Sequence, residues 1–176
     1  MTATTDTIAA TPASASPAAS PVAPTRRLDL DGVAPAFVRA VSALDDAAEA
    51  EADRAGIEKS LRELVRLRAS QLNGCSYCVD LHSRDAREAG VPVQHLYALA
   101  VWPESNFFTA RERAAFALAD AVTRLSETHV PDEAWREASE QFTDDELAAL
   151  LALLVSVNAW NELAVSTRGW RPKLHA

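Results

Sequence analysis

The stretch Glu63-Leu-Val-Arg-Leu-Arg-Ala-Ser-Gln-Leu-Asn-Gly-Cys75-Ser-Tyr-Cys78-Val-Asp-Leu-His82 holds a helix, a stop and the start of another helix. Leu61, Leu64, Val65, Arg68 and Leu72 recur at three- and four-residue steps, which predicts a helix over 58–72 with these residues on one stripe. Asn73-Gly74 ends it, because glycine adopts the left-handed cap conformation without a Cβ clash. The next helix is predicted from Cys75 to Glu88, closed by Gly90 and Pro92.

The same period continues outward. Phe37, Val38, Val41 and Leu44 mark a helix from Ala34 onward, and the acidic run Asp45, Asp46, Glu49, Glu51 and Asp53 reads as its solvated face, broken at Gly56. Downstream come a short helix over 93–101 and a loop with Pro103, Asn106 and Thr109. An amphipathic helix over 110–127 follows, with Phe116, Leu118, Ala119, Val122 and Leu125 facing inward. Pro131-Asp132-Glu133 opens another short helix, with Pro early and acids in the first turn. Thr143 and Glu146 form a capping box for a last helix over 144–167. The centre of that helix, 147–157, is apolar nearly all round, so it is buried in the core or in an oligomer interface. No segment alternates like a strand, and the fold class is all-α.

The 176 residues suit one domain, and 48% apolar residues are enough for a sizeable core. Net charge of −8 with no basic stripe argues against nucleic acid or an anionic membrane as partner. No run of 18 apolar residues occurs, so no membrane-spanning helix is predicted. Residues 1–27 are rich in Ala, Thr, Ser and Pro and lack Leu, Phe or Trp, which predicts a disordered tail before a domain over 28–176. No secretory signal is recognisable, and the expected location is the cytoplasm.

There are two cysteines, Cys75 and Cys78, and a C-x-x-C pair in a reducing compartment is more often catalytic, redox or metal-binding than a structural staple. On a helix starting at Cys75, Cys78 lies about 300° round and His82 about 340°, so all three share one face. Cys78 and His82 are an i,i+4 pair, which lets the imidazole take the thiol proton. Helix N-terminal N–H groups favour a thiolate at either cysteine. The set supplies a nucleophile, a base and a second thiol to resolve a sulfenic acid. Zinc bound by Cys75, Cys78, His82 and Glu63 is the competing reading, against which stands the lack of any further cysteine. Both cysteines as small buried hydrophobes is another. Taken alone, Glu63 reads as a solvated carboxylate. Tyr77 either lines the site or packs. Trp102, Phe107 and Phe108 supply an apolar wall or interface, and Trp160 and Asn161 belong to core or interface before site wall. His95 and His129 read as surface or loop histidines, and His175 lies in the C-terminal tail.

With those residues in place, the chain resembles the alkylhydroperoxidase D (AhpD)-like branch of the carboxymuconolactone decarboxylase family. That branch carries Glu, eleven residues, then C-x-x-C-x-x-x-H, and Glu63, Cys75, Cys78 and His82 match each position. The wording Arg-Ala-Ser-Gln-Leu-Asn-Gly-Cys75, the later Leu96-Tyr-Ala-Leu-Ala-Val-Trp102 and Phe107-Phe-Thr-Ala-Arg-Glu-Arg-Ala-Ala115 are similar too, so the resemblance spans roughly 30–170. It implies the AhpD-like helical fold assembled as a homo-oligomer, a trimer or hexamer. It implies thiol-dependent reduction of hydrogen peroxide or organic hydroperoxides without metal, haem or flavin cofactor. It gives Glu63 a place in a proton relay, through water, with His82 and the thiols. The family's well-known peroxidase has a further His between its cysteines; Tyr77 stands there in this chain, which implies a weaker relay.

The expected sequence of events has Cys78 attack the peroxide as the i,i+4 neighbour of His82. Cys75, expected to be the more exposed, resolves the sulfenic acid, and a dithiol or thiol protein restores the pair. The rivals are a thiol redox sensor or interaction protein on the same fold, and the lactone decarboxylase activity of family members that generally lack the paired cysteines.

Overall fold

A computed structural model describes residues 24–173, and the described residues form helices and connecting turns without a strand. The helices are α1 (Leu30–Val33), α2 (Pro35–Ala55), α3 (Lys59–Asn73), α4 (Ser76–Glu88), α5 (Val93–Ala98), a 3-10 turn Leu99–Glu104, α6 (Ala110–Thr123), α7 (Leu125–Thr128), α8 (Asp132–Gln141) and α9 (Asp144–Thr167). Their ends follow local chemistry. Pro35 opens α2, where its missing N–H has no helical partner to lose. Gly56 and Gly74 end α2 and α3 at φ of 73° and 69°, the left-handed region that glycine enters freely. Thr109 with Glu112 and Thr143 with Glu146 make reciprocal capping boxes for α6 and α9.

α9 is the central element and packs on α2, α3 and α6. Leu147, Leu150, Leu153, Leu154 and Val157 are buried along it. By length and hydropathy α9 would also suffice to cross a membrane, which the search for an unbroken apolar run missed; here it is the helix the others pack around. At the far end of the core, Phe116 meets Trp102 and Phe108 edge to face. Arg68 on α3 is buried and holds Asp120 on α6 through two bonds, Nε–Oδ1 at 2.6 Å and Nη2–Oδ2 at 2.7 Å.

Three expectations are corrected. The acidic run of α2 is only partly a solvated face: Asp45, Glu49 and Asp53, one helical turn apart, pair with the buried Arg62 and Arg66 of α3. The helix over 110–127 breaks at Arg124, where ψ turns to 41° and the Thr128 hydroxyl donates to the Ala121 carbonyl, so Leu125 is exposed rather than inside. Phe37 and Leu44, which mark the period of α2, are 54% and 41% exposed. Arg27, placed in the tail, is bound to the domain, its backbone N–H donating to the Thr167 carbonyl at 2.8 Å. Residues 1–23 of the tail and His175 lie outside the described residues.

Candidate functional site

The site is built on the α3–α4 turn. Gly74 reverses the chain there, and the Cys75 N–H donates to the Ser70 carbonyl at 3.0 Å. The fully buried Asn161 of α9 ties the turn to the core, donating to Ser70 Oγ at 3.1 Å and accepting from Asn73 Nδ2 at 2.9 Å. Asn73 also donates to Asn158 Oδ1 at 2.7 Å. Unpaired amides this deep would be costly, so the network fixes the turn in one arrangement.

Cys75 is the N-cap of α4, and its Sγ accepts from the Cys78 N–H at 3.3 Å. The two cysteines are joined as a disulfide, with Cα atoms 5.4 Å apart. They are 2% and 4% exposed, so exposure does not set Cys75 apart as expected. What distinguishes the two cysteines is the cavity each lines. Cys78 lines a cavity of about 400 Å³ together with His82, Arg66, Tyr77, Trp160 and Trp170. Cys75 lines a different one, of about 430 Å³.

His82 Nδ1 lies 2.8 Å from Glu63 Oε2. Opposite a carboxylate, which only accepts, Nδ1 carries the proton, so that in the neutral ring the lone pair is on Nε2, the atom that can act as a base. Glu63 is therefore not the solvated carboxylate its position alone suggested; its side chain is 14% exposed. Its other oxygen lies 3.6 Å from Arg66, which in turn bonds Asp45 at 3.2 Å and pairs with Glu49. Asp85, one turn beyond His82, completes the group. Burial, then the adjacent Glu63 charge, pushes its carboxyl above the ordinary aspartate range.

All four predicted site residues are thus brought together. Glu63, His82 and Asp85 present donor atoms within 4.8 Å of one another, a set that could hold a divalent cation. It differs from the zinc set read in the sequence, since the disulfide removes both thiolates. Arg66, Asp85 and Trp170 were missed. The first two sit three residues beyond Glu63 and His82, a helical-neighbour spacing that could have revealed them. Trp170 meets Trp160 edge to face at 5.6 Å, and nothing in sequence spacing points to it. Tyr77 lines both cavities. Trp102 and Phe108 lie in the core and Phe107 stacks on His95; none of them forms a wall of the cysteine cavities.

This all-helical domain with a paired-cysteine turn belongs to the carboxymuconolactone decarboxylase family, whose pattern matches residues 35–121. The chain is 33% identical over 113 residues to the uncharacterized protein YdfG of Bacillus subtilis, covering 64% of this chain and 77% of that one. A crystal structure of a protein of unknown function from Agrobacterium tumefaciens, assigned to antioxidant defence as AhpD, superposes with a TM-score of 0.79 at 33% identity. The match covers 85% of this chain and all of that one. The debrominase Bmp8 shares the fold at a TM-score of 0.69 and 22% identity, over 80% of this chain and 74% of its own.

Proposed function

We propose that this protein is a thiol peroxidase of the AhpD type that reduces organic hydroperoxides. The observation that carries the reading is the cavity that holds Cys78 and His82 together while Glu63 occupies the other imidazole nitrogen at 2.8 Å. In the reduced protein His82 Nε2 takes the Cys78 proton. The thiolate attacks the distal peroxide oxygen and the O–O bond breaks. The departing alkoxide recovers the proton from His82 as alcohol, and Cys78 becomes a sulfenic acid. Cys75 attacks that sulfur, water leaves, and the disulfide of this structure forms. Two thiol equivalents then restore both cysteines. The Trp160, Trp170 and Tyr77 walls favour a hydroperoxide with an apolar body over hydrogen peroxide.

The homo-oligomer, a trimer or hexamer, belongs to the same proposal, supported by the exposed Val33, Phe37 and Leu44 of α1 and α2. A cytoplasmic site fits a pair that must be reduced between turnovers. The assignment of attacker and resolver is tested by trapping sulfenic acid after one equivalent of cumene hydroperoxide. Cys75→Ser should accumulate a trappable sulfenic acid and Cys78→Ser none; the opposite pattern would reverse the roles.

A further inference from the structure

The disulfide has a cavity on either side, and the two differ in charge. The Cys78 side contains Asp31 and Asp45 beside Arg66. The Cys75 side contains Arg27, Arg168 and Arg171 and, among the described residues, no carboxylate. None of these three arginines forms an ion pair among the described residues, although the chain carries a net charge of −8. Their placement follows from the end of α9. Arg168 is its left-handed C-cap, and the Arg27 guanidinium donates to the Ser166 carbonyl at 3.3 Å. Cations are favoured at a helix C-terminus, and among the described residues no carboxylate engages the guanidinium donors of these three arginines.

We propose that this second cavity is where the reductant docks, and that it selects a thiol carrying carboxylates. The inference rests on the thiol peroxidase reading and adds to it the chemistry of the reducing partner. Guanidinium forks recognise carboxylates with paired hydrogen bonds, so three arginines lining one cavity with Cys75 define an anion site beside the disulfide. The incoming thiolate attacks Cys75 Sγ. The Cys75–Cys78 bond breaks and Cys78 leaves as thiolate, stabilised by the first turn of α4; the proton released when the incoming thiol ionised is available to return it to the thiol. A second reductant thiolate attacks the reductant sulfur of the mixed disulfide. A reductant disulfide leaves, and Cys75 is released as thiolate. Two thiols are oxidised and one protein disulfide is reduced. Peroxide and reductant therefore approach opposite sulfurs, and the expelled one is the sulfur beside the base.

The test uses the full oxidised chain and two probes, the dianionic mercaptosuccinate and the neutral 2-mercaptoethanol. Rates of disulfide reduction are expressed per thiolate, at low and at high salt. The net negative charge of the chain by itself would repel mercaptosuccinate and make it the slower probe. The expected result is the reverse: mercaptosuccinate roughly tenfold faster at low salt, with the advantage collapsing at high salt. Arg168→Gln/Arg171→Gln, both at exposed positions, should remove most of the advantage and leave the 2-mercaptoethanol rate within about twofold. Adding Arg27→Gln should remove the rest. Equal rates, a faster neutral probe, or an advantage that survives these substitutions overturns the anion site and leaves the peroxidase reading standing. Reduction by neither probe overturns both.

Discussion

Glu63→Gln separates the charge of the relay from its shape. Gln keeps the length of the side chain and still offers an oxygen to His82 Nδ1–H, so the 2.8 Å contact survives. What is lost is the negative charge facing the imidazolium that forms when Cys78 gives up its proton. Two unit charges about 4 Å apart at an effective dielectric of about 20 interact by about 4 kcal/mol. Arg66, 3.6 Å from the other Glu63 oxygen, opposes part of this. A net loss of about 2–3 kcal/mol corresponds to a roughly 30- to 150-fold slower thiol oxidation. Stability should change by no more than about 1 kcal/mol, because Arg66 keeps Asp45 and Glu49 as partners. The assay is stopped-flow oxidation of the reduced protein by cumene hydroperoxide, read through the fluorescence of Trp160 and Trp170 at the cavity. A rate within threefold of the parent, beside a large loss in His82→Ala, would refute the relay and leave Glu63 a structural partner.

Other consequences are independent of that one. Asp120→Ala strands the buried Arg68 and should cost about 3–5 kcal/mol by denaturant unfolding, while Arg68→Met/Asp120→Leu should recover most of it. The Thr143 backbone N–H, with Arg111 after it, holds the Glu146 carboxyl below the usual glutamate range. Its stabilising contribution is therefore present above the unfolded-state pKa and is lost as pH falls through the folded one. Glu146→Gln should cost about 1 kcal/mol at neutral pH, with the gap to the parent closing below about pH 4. Trp160→Ala should lower kcat/KM for cumene hydroperoxide about tenfold and leave hydrogen peroxide nearly unaffected, since only the bulky substrate uses the apolar wall.

The sequence exposed what is local and periodic. The capping box at Thr143 and the stop at Gly74 follow from chemistry within four residues, and the longer helices appear where they were expected apart from the break at Arg124. The pairing of Cys78 with His82 in one cavity follows from helical spacing, whereas Cys75, read as sharing their face, is the extended N-cap ahead of α4 and lines the other cavity. Glu63 does not follow from spacing, because its partner is 19 residues away and only the packing of α3 on α4 joins them. The α2 carboxylates were misread for the same reason: a charged stripe looks identical whether water or the buried Arg62 and Arg66 lies against it. Phe37 and Leu44 have the period of a core stripe, yet periodicity does not say whether the apolar face is covered by the same chain. The division into two cavities depends on Trp170, on Arg171 beyond the end of α9 and on Arg27 ahead of α1, three residues in no helical pattern.

The central claim is that Cys78 turns over organic hydroperoxide with its disulfide as the intermediate. It is tested by supplying the reduced protein with cumene hydroperoxide and excess dithiol while counting free thiols and consumed peroxide. Many equivalents of peroxide should be consumed per chain, two thiols should be lost when the dithiol is withheld, and Cys78→Ser should show no turnover. One equivalent consumed with no further turnover, or undiminished turnover in Cys78→Ser, would contradict it.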